Sequence, residues 1–524
     1  MLFRRKGRSS SIIENLAPLG SDVYFEINNK WDSFRYRGHM NNSAASNKWL
    51  VLSLVAVGIF MSTLDGSIVN VALPTIMAEL AVPLTTVKWV VVIYLLTVSS
   101  LLLFFGRLSD LRGRRWVYSR GLAVFALGSL LCGLSPAATW LIVSRALQGA
   151  GAAMIMACTP ALVVDVFPPE ERGRALGLVG TVVAGGLTMG PALGGILLQF
   201  FPWRVIFYIN VPVGAAAALA TLRLLKGSPE MTSQEPIDWP GTILLLICFP
   251  ALLTALSRGG EWGYAAPMTL GLVGVFAVSL LLLIVVETRT RYPIVEPSLF
   301  AVRLFSVSIA AAVTLFISLF TISFMMPFYL VNPAGFPMAK TGGILVIPFF
   351  FLFIGAPIAG TLSDKIGSRL LCTLGLSIMA CALYSFSRMP ASANIWPVAW
   401  RLALAGIGTA IFTSPNSAAA MSAVDPQRRG IAAALVATAR NLGMVLGVAA
   451  AAVIFNASFQ KASGGQNLQN YHAGMQDAFM TAFHQAMLWG AAVAAFGAVL
   501  SALRGKEIRT KKPAKSKTAG VLIK

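Results

Sequence analysis

The sequence contains little charge. Asp, Glu, Lys and Arg make up 12% of its 524 residues, whereas soluble domains carry about 25%. Hydrophobic residues account for 56%, and the mean hydropathy is +0.75. A chain of this length with so few polar groups does not stay dissolved, which excludes soluble enzymes, collagen-like chains and disordered chains. The composition predicts an all-α polytopic membrane protein.

The sequence also lacks residue patterns that carry chemistry. It has three His residues, one in the N-terminal tail and two near the predicted outer face. It contains no HExxH spacing, no Cys-His cluster and no P-loop, so neither a metal site nor direct use of ATP is predicted. The five Cys residues lie in or beside apolar runs, which is typical of small buried side chains. We therefore expect neither a membrane-embedded enzyme nor a bound cofactor.

Acidic residues are half as frequent as basic ones, which gives a net charge of +21. In a soluble protein this excess would suggest nucleic acid as a partner, but in a membrane protein Lys and Arg collect in cytoplasmic loops. Fourteen runs are long and apolar enough to cross a bilayer. If the N-terminus lies inside, the inner segments hold 32 Lys and Arg and the outer segments hold six. This ratio predicts that both termini are cytoplasmic.

One loop motif occurs twice. Gly106–Arg115, after span 2, matches Gly360–Arg369, after span 10, at an offset of 254, and scattered Gly, Pro and Arg residues match at 257. Because the offset crosses eight spans, we predict two six-span halves with two spans inserted between them, the architecture of the major facilitator fold. The predicted layout is a tail (1–48), a first half (49–225), a linker with the two extra spans (226–303), a second half (304–503) and a basic tail (504–524).

Five stretches resemble the major facilitator superfamily and, within it, the fourteen-span drug:proton antiporters of the EmrB/QacA type. The resemblance covers the chain from about Trp49 to Leu503, and the stretches are Leu64–Pro74, Gly106–Arg115, Arg145–Gly151, Gly186–Gly195 and Trp203–Gly214. It implies a proton-driven exporter of a bacterial inner membrane, with a periplasmic adaptor partner in some members. It also implies a proton-coupling role for Asp65 and Arg145.

Asp65 is the only acidic residue well inside a predicted span. A charge near the bilayer centre costs a few kcal/mol on insertion scales, so such a residue is functional by default. Arg145 lies at a similar depth in span 4, and the two residues are expected to pair. Burial disfavours the charged form of a carboxylate and a nearby Arg favours it, so a changing distance could load and release a proton. The alternative is a static pair that orders helices.

Two further motifs suggest moving parts. The glycines of span 5 permit close helix packing and its proline bends a helix, so this run is either an interface between the halves or ordinary packing; it comprises Gly186, Gly190, Pro191, Gly194 and Gly195. In the family this pattern marks exporters. The acids among the arginines of the repeated loop suggest a salt-bridge clamp, against a solvated loop; its candidates are Gly106, Asp110, Gly113, Arg114, Arg115, Asp165 and Asp364.

The second half carries an arginine near the middle of span 13. Arg440 could reach Asp65, face an anionic group of the substrate, or bond to backbone carbonyls. Relatives that export divalent cations carry an acid in this span, which this chain lacks. Aromatic side chains on one face of span 9 suit loosely specified apolar ligands, although lipid contact and packing are commoner roles; they are Phe316, Phe320 and Phe324.

Together these observations predict a proton-driven exporter of amphipathic, drug-like small molecules that works by alternating access within the lipid bilayer. A dedicated exporter of one metabolite or lipid-like compound is the alternative. A proton-linked uptake porter fits less well, because the Gly-Pro run of span 5 is typical of exporters in the family.

Overall fold

The computed structural model describes residues 43–224, 238–263, 265–290, 297–391, 394–424 and 429–505. Residues up to Ser53 form a unit of their own, and the text below concerns the unit that begins at Leu54. Within the described ranges the chain is all-helical and has fourteen helical spans, as predicted. The spans are Lys48–Glu79, Leu84–Arg112, Arg114–Gly133, Ala138–Val166, Leu178–Phe200, Val205–Leu224, Trp239–Leu256, Pro267–Arg289, Arg303–Val331, Met338–Ser363, Ser368–Phe386, Ile395–Ser422, Ile431–Ala462 and Ala473–Ala502.

The first and last six spans pack in the same pattern. In the first half span 4 packs against spans 2 and 3, and span 3 packs against span 6. In the second half span 12 packs against spans 10 and 11, and span 11 packs against span 14. Each contact therefore recurs eight spans later, so the repeat in the sequence is a repeat of structure.

The inserted spans 7 and 8 form a hairpin that contacts both halves. Span 7 packs against span 2 of the first half and span 13 of the second. A shared apolar cluster includes Leu103 of span 2, Leu245 of span 7, Phe305 of span 9 and Leu435 of span 13. The hairpin therefore lies beside the seam where spans 2 and 13 meet.

The repeated loop motif encodes a tight turn between antiparallel spans. Gly113 has a φ of +91° and Gly367 has a φ of +89°. Residues with a Cβ rarely adopt such angles, so each turn requires glycine. The same requirement explains why this glycine occurs in both copies of the motif.

The halves meet closely at the end of the bundle that the predicted topology places outside, called the outer side below. A Cβ built on Gly195, near the outer end of span 5, would lie 2.8 Å from the Cα of Gly342 in span 10. Next to this crossing is a small void of about 10 Å³, lined by Asn70 and Pro191 of the first half and Leu319 and Phe349 of the second. That volume suffices for about one water molecule. The outer part of the interface is therefore closed.

We expect a side chain at Gly342 to prevent this closure. Its Cβ would contact the carbonyl oxygen of Pro191 and would lie 2.7 Å from the Cα of Gly195. Overpacking of this kind costs about 1–3 kcal/mol, which shifts a two-state equilibrium about 5- to 150-fold. In Gly342→Val, a cysteine placed at Asn70 should react at least about 10-fold faster with an impermeant maleimide added from outside.

The neighbouring glycine provides the control. A Cβ on Gly343 meets nothing within 4 Å, so Gly343→Val should leave the labelling rate unchanged. The exposed Cys381 is replaced by Ser in all variants. Equal labelling rates in the two valine variants would show that the Gly195–Gly342 crossing does not hold the outer side shut.

Candidate functional site

Asp65 and Arg145 form an ion pair inside the first half. Neither side chain has any exposed surface, and Nη1 of Arg145 donates to Oδ2 of Asp65. The structure thus brings together the two residues that the sequence singled out. A fully buried ion pair is costly unless the surrounding helices supply most of its remaining polar contacts.

Neutral polar side chains occupy the other carboxylate oxygen. Oδ1 of Asp65 accepts hydrogen bonds from Nε2 of Gln148 at 2.9 Å and from Nδ2 of Asn210 at 3.1 Å. Oε1 of Gln148 accepts from Nη1 of Arg145 at 2.6 Å, and its Nε2 donates to Oγ of Ser129 at 2.7 Å. Spans 1, 3, 4 and 6 therefore meet in one closed hydrogen-bond network around the carboxylate.

Span 2 holds the arginine from the other side. Nε of Arg145 donates to the carbonyl oxygen of Val90 at 2.9 Å, and the guanidinium lies 4.1 Å from the ring centre of Tyr94. The hydroxyl of Tyr94 donates to the carbonyl oxygen of Ser62 in span 1 at 2.9 Å. Nη2 of Arg145 is buried and has no hydrogen-bond partner among the described residues. One nitrogen of the guanidinium is therefore available for a new hydrogen bond if the side chain moves.

A break in span 6 positions Asn210. The helix Val205–Tyr208 ends there, and a second helix begins at Asn210. Pro212 lacks the N–H group that would bond to the carbonyl oxygen of Tyr208, so an uninterrupted helix is disfavoured at this point. Asn210 belongs to the Trp203–Gly214 stretch that carries the family resemblance, yet nothing in its residue type singled it out. Gln148 could have been found from the sequence, because it follows Arg145 by three residues and therefore lies on the same face of span 4.

Span 5 packs directly on the helix that carries Asp65. A Cβ on Gly186 would contact Oγ1 of Thr63 and would lie 3.1 Å from the backbone nitrogen of Leu64. Gly190 and Gly194 lie equally close to span 1, against Ser67 and Ile68 respectively. The outer end of the same helix crosses span 10 at Gly195. One helix therefore touches both the segment around Asp65 and the opposite half.

The basic loop of the first half forms a small ion cluster. Arg114 pairs with Asp165 at the inner end of span 4, and its Nη2 lies 3.4 Å from Oδ1 of Asp110. Arg115 donates to the carbonyl oxygen of Leu222 in span 6. All these partners belong to the first half, so this cluster ties together helices of one half. The side chain of Asp364 lies outside the described part of the structure.

The aromatic residues of span 9 are packed inside the protein. Phe316, Phe320 and Phe324 are 6%, 3% and 0% exposed. The ring of Phe324 lies 5.6 Å from that of Phe328, and Phe316 packs against Gly443 of span 13. In this conformation these rings offer almost no surface to a ligand. Their spacing on one helical face is explained by burial of that face inside the protein.

A model of the Major Facilitator Superfamily matches residues 55–448. The chain belongs to the major facilitator superfamily. It is therefore a membrane transporter and not an enzyme. Among solved structures, it resembles an inward-facing, unoccupied bacterial homologue of the human lysosomal transporter Spinster, with a TM-score of 0.63 and 16% identity. The match covers 87% of this chain and 97% of the other, and it shows the shared fold.

Three relatives with assigned names illustrate the range of the family. The riboflavin transporter RibZ of Clostridioides difficile is 34% identical over 77% of this chain and 87% of its own length. The multidrug resistance protein Stp of Mycobacterium tuberculosis is 33% identical over 77% and 75%. Multidrug resistance protein 3 of Bacillus subtilis is 32% identical over 77% and 78%. These names cover both dedicated and multidrug transporters.

We expect removal of one member of the buried ion pair to destabilise the protein. Arg145→Leu would leave the Asp65 carboxylate buried without its cation and should lower the free energy of unfolding by about 3–5 kcal/mol. Replacing both residues by Leu should recover part of this loss, because no charge then remains buried. Denaturant unfolding of the detergent-purified protein measures both effects.

Arg204 is the matched control, since it also pairs with a carboxylate of span 1, Glu79, but at 30% exposure. Arg204→Leu should cost no more than about 1 kcal/mol. If Arg145→Leu were no more destabilising than Arg204→Leu, the network around Asp65 would not contribute to stability in the way that its burial indicates.

Proposed function

We propose that the protein is a proton-driven exporter of amphipathic small molecules, with Asp65 as the residue that binds the coupling proton. The observation that carries the proposal is the closed network around Asp65, which contains the only carboxylate deep inside a span. Transport would proceed by alternating access, with the two six-span halves rocking against each other.

The geometry links protonation of Asp65 to movement. Both carboxylate oxygens accept hydrogen bonds from N–H groups of Arg145, Gln148 and Asn210. A proton added to either oxygen would face one of these donors, so the protonated form requires that a donor withdraws. Arg145 can withdraw towards span 2, where Val90 and Tyr94 already hold it. Proton binding would thus favour a different arrangement of spans 1, 2 and 4.

Span 5 would transmit that rearrangement to the other half. It packs on span 1 at Thr63 and Ser67, on either side of Asp65, and it crosses span 10 at Gly342. Because packed helices shift as rigid elements between discrete arrangements, a change beside Asp65 would alter the outer closure. The proton and the outer gate would then be coupled through one helix.

The names of relatives support export, and they include both drugs and a single metabolite as transported molecules. Several relatives are multidrug resistance proteins, and another, from Streptomyces coelicolor, is a methylenomycin A resistance protein. RibZ is named for riboflavin, which favours the alternative of a dedicated transporter for one metabolite. We place this chain with the fourteen-span drug:proton antiporters of a bacterial inner membrane. A periplasmic adaptor stays a prediction of the resemblance.

We expect Asp65→Asn to abolish proton-driven transport. The amide has nearly the same shape but does not switch between a charged and a neutral form at the pH of the assay. An imposed pH gradient should therefore no longer drive uptake of a fluorescent lipophilic dye into inverted vesicles. Glu79→Gln is the control on the same helix, because Glu79 is 43% exposed and pairs with Arg204 near the outer end. It should transport at the wild-type rate.

The same assay can contradict the proposal. Uptake by Asp65→Asn that equals wild-type uptake and still collapses with a protonophore would move the coupling proton to another residue. Wild-type uptake that persists with a protonophore would contradict proton drive altogether.

We also expect the close approach of span 5 to span 1 to be required for transport. Gly186→Val places a side chain against Thr63, at a cost of about 1–3 kcal/mol, and should reduce dye transport at least about 10-fold. A Cβ on the adjacent Gly185 meets nothing within 4 Å, so Gly185→Val should transport normally. Equal activity of the two variants would exclude the helix contact at Gly186 as a moving interface.

A further inference from the structure

The second half contains a basic residue in mid-membrane without an acid to match it. Arg401 and Arg440 both lie within its spans. Its acidic residues are Asp364, Asp425 and Asp477. In the sequence they lie at the end of span 10, between spans 12 and 13, and at the start of span 14, far from the middle of any span. Asp65, in the first half, is fully buried and already bonded to Arg145, Gln148 and Asn210.

The two arginines differ in how they are held. Arg401 donates to the carbonyl oxygens of Ser385 at 3.0 Å and Pro397 at 2.6 Å, and its guanidinium lies 4.4 Å from the ring centre of Trp400. Arg440 makes no hydrogen bond, ion pair or ring contact with any residue that the structure describes. Backbone bonding therefore accounts for Arg401 and does not account for Arg440.

Arg440 keeps part of its surface exposed, although its helix packs closely on span 9. Three and seven residues further along span 13, Gly443 and Gly447 pack on Val313 and Ile317 of span 9. Arg440 lies on neighbouring turns of the same helix, deep in the bundle, yet it is only half-buried. At the repeat offset of 257 its counterpart in span 5 is Val183. Arg440 therefore has no equivalent at the matching position of the first half.

Two buried polar atoms on other faces of span 13 also lack partners. Oγ1 of Thr438 and Nδ2 of Asn441 have no hydrogen-bond partner in the described ranges, although these residues are only 7% and 3% exposed. A buried donor without an acceptor is unfavourable, and so is an unmatched charge in the membrane. An anionic oxygen brought in by a ligand would match the charge of Arg440.

We infer that Arg440 binds an anionic group of the cargo, such as a carboxylate, sulfonate or phosphate, and that the transporter selects amphipathic organic anions over cations. The inference rests on the proposed function, because it assigns the chemical class of the exported molecule. Charge-assisted bonds from guanidinium to carboxylate or phosphate are among the strongest in proteins, which suits a half-buried site.

The test compares two dyes that share a xanthene ring system and differ in charge. Fluorescein is anionic and rhodamine 6G is cationic, and fluorescence polarisation measures the binding of each to the detergent-purified protein. We expect Arg440→Gln to weaken fluorescein binding about 10- to 100-fold and to leave rhodamine 6G binding unchanged or stronger. Arg440→Lys should recover most of the fluorescein affinity, since it restores the charge.

Arg401→Gln is the matched control, because it removes an intramembrane arginine whose donors are already satisfied by carbonyls. Its fluorescein affinity should stay within about threefold of the wild type, as expected for a residue outside the site. Fluorescein binding that is absent in the wild type, or equal in wild type and Arg440→Gln, overturns the inference. Displacement of fluorescein by phosphatidylglycerol, but not by soluble carboxylates, overturns it too, because the site would then belong to a lipid headgroup.

Transport separates this inference from the proposed function. In phosphatidylcholine vesicles, pH-driven fluorescein uptake that is lost in Arg440→Gln supports both. If proton-driven fluorescein uptake is the same in Arg440→Gln as in the wild type, the proposed exporter function stands and the anion site is overturned. If fluorescein binding depends on Arg440 but no pH gradient drives its uptake, the anion site stands and the proposed proton coupling is overturned.

Discussion

The ion pair between Asp65 and Arg145 is the constraint on which the first half depends. Two opposite charges with no exposed surface are stable in a membrane only when each oxygen and most N–H groups find partners. Span 1 provides the acid and span 4 the arginine, while spans 2, 3 and 6 complete their hydrogen bonds. Five helices are therefore held in register by one pair of charges, and a change in that pair affects all of them.

The duplication did not preserve this constraint in the second half. At the offset of 257, Arg145 and Gln148 correspond to Leu402 and Ala405, and Leu402 lines the small void between the halves. Apolar packing there replaces a hydrogen-bond network. The two halves share a fold but differ in their buried charges: the first holds the ion pair of Asp65 and Arg145, and the second carries the half-buried Arg440.

Much of this arrangement follows from the sequence, and the rest depends on helix orientation. Apolar runs determine fourteen helices because a lipid-exposed backbone must satisfy its own hydrogen bonds. An acid inside a span is costly enough to single out Asp65 and its pairing with Arg145. Asn210 is neutral and could face any neighbour, so only the rotation of span 6 after its break reveals its role. The aromatic face of span 9 was equally ambiguous, since periodicity does not say whether a helix face meets a cavity or another helix.

The hairpin of spans 7 and 8 has a consequence for the route that cargo can take. Two rocking halves leave two lateral seams, one between spans 2 and 13 and the other between spans 5 and 10. Span 7 contacts both spans of the first seam, and the apolar cluster around Leu245 joins them. If the halves rock against each other, this hairpin would cover the seam between spans 2 and 13 and shield it from membrane lipid. Lipophilic molecules that arrive from within the bilayer would then approach from the side of spans 5 and 10.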